Sequence, residues 1–135
     1  MSQDGTIALF LGNGDGTFQT PKTDTIGGLP AAIVLGDFNR DGILDFATTD
    51  SFANTTSISL GTGDGTFQSP MAYAVGSGPY DMATADFNGD GYQDLAVVND
   101  SVNTISVLLG NGDGTFQAQK TSALATKWNS WPPEI

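Results

Sequence analysis

Apolar residues come in short runs divided by glycine-rich polar segments, and the arrangement returns at a step of 49 residues. Runs at 6–11 (Thr-Ile-Ala-Leu-Phe-Leu), 55–60 and 104–109 mix β-branched, apolar and small polar residues, as short strands do. Each leads into Gly-x-Gly-Asp-Gly-Thr-Phe-Gln, at 12–19, 61–68 and 110–117. A second β-rich run follows at 17–23, 66–75 and 115–121. Asp-Gly between two such runs predicts a hairpin, with Asp15, Asp64 and Asp113 as turn residues.

Between hairpins, a Gly/Pro connection (27–30 or 76–79) leads to a nearly unbroken apolar run at 31–36 or 80–85. Its small residues and continuous hydrophobicity predict an innermost strand covered on both faces. A polar nonapeptide then turns the chain back, and 46–49 or 95–98 forms the next strand. One period therefore holds four antiparallel strands. Helix is not expected, because apolar spacing of 3.6 is absent and glycines interrupt every window of about ten residues.

Four short strands in a period of about 50 residues is the pattern of a β-propeller blade. The expected chain is all-β: a half blade at 5–24, whole blades at 31–75 and 80–121, and a non-repeat tail at 122–135. Trp128 and Trp131 lie in that tail, just before Pro132 and Pro133. It reads as a terminus outside the repeat or as an aromatic platform for stacking on sugar.

Composition narrows the chemistry. Eighteen glycines and 39% apolar residues are thin for one self-contained core in 135 residues, so neighbouring repeats must share theirs. The net charge of −11 comes from 15 acidic against four basic residues, and six of the aspartates sit in the two nonapeptides. With no basic patch to displace counterions, neither nucleic acid nor anionic membrane is a fitting partner. Cysteine and histidine are absent. That removes disulfides, thiolate and imidazole metal sites, and every catalytic scheme built on an imidazole. No apolar run is long enough to span a membrane, and no secretion signal is read in a chain whose Met1-Ser2-Gln3 start resembles a fragment boundary.

The nonapeptides are Asp37-Phe38-Asn39-Arg40-Asp41-Gly42-Ile43-Leu44-Asp45 and Asp86-Phe87-Asn88-Gly89-Asp90-Gly91-Tyr92-Gln93-Asp94. Odd positions of such a loop point to a cation. Asp37, Asn39 and Asp41 would offer side-chain oxygens, Ile43 its carbonyl and Asp45 a carboxylate; Asp86, Asn88, Asp90, Tyr92 and Asp94 repeat the set. Gly42 and Gly91 permit the sharp bend. Three carboxylates and two neutral oxygens suit a hard cation of calcium's size, and two ions would bring the net charge to about −7. An EF-hand is excluded, since Thr48 and Val97 stand where its bidentate Glu belongs.

The pairing of Asp-Phe-Asn-Gly-Asp-Gly-x-x-Asp with Leu-Gly-Asn-Gly-Asp-Gly-Thr-Phe resembles the FG-GAP or VCBS-type repeats of integrin α-subunit propellers and of many bacterial extracellular proteins. The resemblance covers about residues 5–121. It implies calcium in the nonapeptide loops, where it stiffens the blade, and an extracellular or cell-surface location. Family rings of six to eight blades exceed the two and a half read here. Homo-oligomerisation is the expected remedy, with a trimer giving six blades. The N-terminal hairpin would then complete the inner half of a neighbour's second blade.

Similar propellers serve as adhesion modules, as lectins and as enzyme scaffolds, and fold does not decide among them. The leading expectation is a binding or adhesion module for a glycan or protein ligand, with structural calcium. The alternative is a weak or promiscuous metal-dependent hydrolase of phosphate or carboxylate esters. For that role Asp81, which replaces Ala32 of the preceding repeat, is the carboxylate to try as general base.

Overall fold

A computed structural model describes residues 5–123 of the chain. Among them are ten strands: β1 (Thr6–Leu9), β2 (Lys22–Thr25), β3 (Pro30–Gly36), β4 (Asp45–Asp50), β5 (Thr55–Ser59), β6 (Met71–Ala74), β7 (Pro79–Ala85), β8 (Asp94–Asn99), β9 (Thr104–Leu108) and β10 (Lys120–Ala123). A single 3-10 turn, Asp100–Val102, interrupts the described strands. The strands form one isolated hairpin, β1-β2, and two four-stranded sheets ordered β3-β4-β5-β6 and β7-β8-β9-β10. Every pairing is antiparallel and joins sequence neighbours. Two all-β repeats and an additional outer hairpin are thus in place. The tryptophans of the tail, Trp128 and Trp131, lie outside the described residues.

Local chemistry sets these elements. Asn54 and Asn103 take φ of 56° and 51° in the β4–β5 and β8–β9 connections, a left-handed turn that asparagine tolerates better than most side chains. The Asp-Gly segments are longer than tight hairpin turns. Each is closed by a lone bridge, Gly12 to Phe18, Gly61 to Phe67 and Gly110 to Phe116, so the following strand starts only at Lys22, Met71 or Lys120. Expected strands beginning at 17, 66 and 115 are therefore displaced, because Asp and Thr side chains hold that stretch as a loop.

The buried strands also differ from expectation. β4 and β8, flanked by a strand on each side, are the covered ones, with Phe46, Ala47, Leu95 and Val97 fully or almost fully buried. The apolar strands β3 and β7, expected to be covered on both faces, pack against each other but leave Ile33, Leu35 and Tyr80 more than half exposed. Two sheets supply a neighbour on one side only. Strands at the inner edge are hidden when further sheets surround them, and the described residues hold no such sheet.

The shared core runs across the two sheets through Ile58, Val75, Met82, Val97, Leu108 and Phe116. Phe116 rests edge-on against Phe38 and Tyr73, with ring centroids 5.6 and 5.8 Å apart, and its N–H donates to the Tyr73 hydroxyl at 3.1 Å. Gly114 donates to the carbonyl of Phe38 at 3.1 Å. A Cβ on Gly114 would come within 2.8 Å of Leu60, so this close approach and its φ of +89° both demand glycine. The same fit recurs one repeat earlier, where Gly65 sits on Leu11 and Lys22 donates to the Asp64 carbonyl. The β1-β2 hairpin therefore stacks on the first sheet as β5-β6 stacks on the second.

Candidate metal loops

Residues 37–44 connect β3 to β4 and residues 86–93 connect β7 to β8, with Asp45 and Asp94 opening the strands that follow. In the first loop, the Asp37 carboxylate accepts from the N–H groups of Asp41 (3.0 Å) and Gly42 (2.9 Å), pulling the chain into a tight ring. Asn39 Oδ1 also accepts from Asp41 N–H, and Asn39 Nδ2 donates to Asp41 Oδ2 at 2.9 Å. Asp41 Oδ1 accepts from Ile43 N–H at 2.8 Å. Gly42 and Gly91, at φ of 82° and 86°, make the bend that L side chains resist.

The second loop repeats this network and adds one bond, from Gly89 N–H to Asp86. Asp86 accepts from Gly89, Asp90 and Gly91, Asn88 bonds Asp90 in both directions, and Asp90 accepts from Tyr92 N–H. The Gly91 N–H is the main cause that holds the Asp86 carboxyl below the usual carboxylate range. The copies also differ at the fourth position. Arg40 takes φ of 62° where the second loop has Gly89, and its guanidinium lies 5.4 Å above the Tyr92 ring, tying one loop to the other.

Asp45 and Asp94, the ninth positions, do something different. Both are fully buried. Asp45 accepts from Phe38 N–H and Gly61 N–H, each at 2.8 Å; Asp94 accepts from Phe87 N–H (2.9 Å) and Gly110 N–H (2.8 Å). Each carboxylate thus clamps the start of its own loop to the glycine that opens the next Asp-Gly segment. Gly61 and Gly110 escape a reading of the nonapeptide alone. The available signal is that each follows its aspartate at the same interval in both repeats.

Of the expected ligands, the loops bring together Asp37, Asn39 and Asp41, and likewise Asp86, Asn88 and Asp90, by direct hydrogen bonds, while Asp45 and Asp94 are buried and act as backbone clamps. Among the described residues no three acidic side chains gather into a ready metal-holding group. The donor chemistry nevertheless fits a hard cation, since every side-chain donor is a carboxylate or amide oxygen. Burial adds an electrostatic reason: the hydrogen-bond partners of Asp45 and Asp94 are neutral backbone N–H groups, and a buried carboxylate favours a cation near it.

Asp15, Asp64 and Asp113 act as turn residues. Each accepts from both the N–H and the hydroxyl of the threonine two positions on, Thr17, Thr66 and Thr115. Threonine hydroxyls are the first cause that lowers all three carboxyls, and in Asp64 the leading hydroxyl is that of Thr62. Asp81 sits on β7 opposite Val98, just past a register shift, with its carboxylate accepting from Met82 N–H at 2.8 Å. That bond spends one oxygen on the adjacent backbone.

A family model described as an FG-GAP-like repeat matches residues 1–48, 37–97 and 86–135. The chain belongs to that family. No curated protein and no solved structure matches it. Repeats of this kind are typical of extracellular or cell-surface proteins. Among the described residues, no helix is long and apolar enough to cross a membrane.

Proposed function

We propose that this FG-GAP-like repeat chain is a calcium-stiffened β-propeller module that binds a glycan or protein ligand outside the cell. The observation that carries the reading is the pair of closely matching oxygen-only loops, each ending in a buried aspartate whose partners are neutral. Asp37, Asn39, Asp41 and Asp45 with the Ile43 carbonyl would hold one ion, and Asp86, Asn88, Asp90 and Asp94 with the Tyr92 carbonyl the other. Bound calcium supplies positive charge where carboxylates crowd. The chain's own residues do the rest: Asp37 and Asp86 curl the loops, and Asp45 and Asp94 lock them to the following hairpins.

A structural role follows from what surrounds the loops. Their side chains are committed to backbone N–H groups, and the chain has neither histidine nor cysteine to serve as base or nucleophile. Asp81, the one carboxylate offered for ester hydrolysis, is engaged by its neighbour's N–H. Binding is therefore favoured over turnover. A glycan array and a chromogenic ester panel, each run with calcium and with chelator, test the assignment. Saturable, calcium-dependent binding without turnover is expected; chelator-sensitive ester cleavage that survives repurification would replace the binding role with a hydrolytic one.

A further inference from the structure

The two nonapeptides differ at their fourth, seventh and eighth positions, where Arg40 stands against Gly89, Ile43 against Tyr92 and Leu44 against Gln93. Three of these residues reach from one repeat to the other. The Arg40 guanidinium lies 5.4 Å from the centroid of the Tyr92 ring. Gln93 extends to the strand that feeds the first loop, its Oε1 lying where a Cβ on Gly36 would fall. Gly36 directly precedes Asp37, and the next repeat has Ala85 at the same place.

A second connection runs through residues 110–117. Gly110 N–H is held by Asp94, at the end of the second loop, at 2.8 Å. The Tyr92 ring packs on Gly112, where a Cβ would come within 2.5 Å of it. Gly114 N–H donates to the carbonyl of Phe38, in the first loop, at 3.1 Å, and a Cβ on Gly114 would lie 3.4 Å from that of Asn39. A run of contacts thus leads from Asp94 to Asn39, and the pairing of Arg40 with Tyr92 closes it into a circuit.

Arg40 makes its contact from an unfavourable backbone angle. Its φ of 62° is left-handed, a conformation that the glycine at position 89 takes freely. That angle belongs to the closed loop, in which Asp37 and Asn39 both accept from the N–H of Asp41, the next residue. Opening the loop would carry the guanidinium off the Tyr92 ring. Displacing Tyr92 would in turn leave Arg40 unsupported.

From this we infer that the two loops act as one coupled unit with Arg40 as its positioning residue: closure of either loop favours closure of the other, so that the two calcium sites fill cooperatively. The cooperative filling rests on the calcium reading, whereas the coupled closure does not. Such coupling is reciprocal, each site raising the affinity of the other by the same factor. The second loop to close meets a partner already ordered, and less conformational freedom remains to be lost. An exposed cation–π contact sets the effect at about two- to fivefold in affinity.

Calcium titration of the unchanged chain, of Asp41→Ala and of Asp90→Ala tests the inference. The product of the two binding constants in the unchanged chain should exceed the product of the two single-site constants by about two- to fivefold. Repeated in an Arg40→Gly background, which gives the first loop the residue that the second already carries, the ratio should fall toward unity; direct effects of the lost charge cancel in the cycle. Hydrogen exchange in chelator reads the coupling without metal. Arg40→Gly should speed exchange of the Gly91 and Tyr92 N–H groups in the other loop and leave those of β9 unchanged, and Arg40→Lys should restore part of the protection. A ratio of unity in the unchanged chain, or a ratio and exchange rates indifferent to Arg40→Gly, overturns the coupling. Faster exchange at Gly91 and Tyr92 in a chain that binds no calcium would uphold coupled closure and overturn the metal reading instead.

Discussion

The two nonapeptide loops share all but one of their hydrogen bonds but not their surroundings. In residues 37–45, Phe38 is 3% exposed, because Phe116 and Gly114 of the next repeat lie over it. In residues 86–94, Phe87 is 50% exposed and the neighbouring Asp86, Asn88 and Asp90 are open to solvent. Loop geometry is thus a property of nine residues, while loop burial is a property of the repeat that follows. A repeat fold is stable through its interfaces, so a copy with no following repeat among the described residues keeps the shape and lacks the cover.

Truncating the two phenylalanines should separate these contributions most strongly. Phe38→Ala would destabilise by about 3–5 kcal/mol, the usual range for a buried aromatic, and Phe87→Ala by about 1 kcal/mol. Urea unfolding of both variants gives the comparison directly; equal losses would mean that Phe87 is covered in solution. Asp45→Ala and Asp94→Ala come next. Each leaves two backbone N–H groups without their acceptor, at a cost of about 2–4 kcal/mol. Here the two loops should respond alike, because the clamp is internal to each repeat.

Tyr73→Phe is a finer probe of the cover alone. It keeps the ring against Phe116 and deletes the hydroxyl that accepts from its N–H, so about 1 kcal/mol should be lost. An unchanged denaturation midpoint would remove that bond from the interface. Acid gives the smallest effect. Asp64, Asp86 and Asp113 have carboxyls below their ordinary 3.8, so the unfolded chain binds more protons in that range. Stability should be fully present above pH 3.8 and fall as pH drops through the lowered values. Melting at pH 5 and pH 3 in chelator checks the sign.

Much of this was legible before the fold was known, and the illegible part has a common cause. Order and antiparallel pairing of the strands follow from apolar runs alternating with Asp-Gly and Asn turns, which are local signals. Asp15, Asp64 and Asp113 are readable as turn residues for the same reason. The delayed starts of β2, β6 and β10 were not, because Asp and Thr side chains compete with the strand ladder for backbone donors. Nor was the role of Asp45 and Asp94. The ninth position of an acidic loop reads as a ligand, and only tertiary structure brings Gly61 or Gly110 to it. Exposure of β3 is likewise set by what lies beyond the sheet, which no pattern within Pro30–Gly36 encodes.

Calcium as a folding ligand is the account's central claim, and titration calorimetry paired with thermal melting tests it most directly. Two ions should bind per chain, one each after Asp41→Ala or Asp90→Ala. At a hundredfold excess over Kd, each site should add about 2.7 kcal/mol of stability. A rise in melting midpoint with calcium, reversed by chelator, is the predicted result; no heat of binding and an identical midpoint in chelator would contradict it.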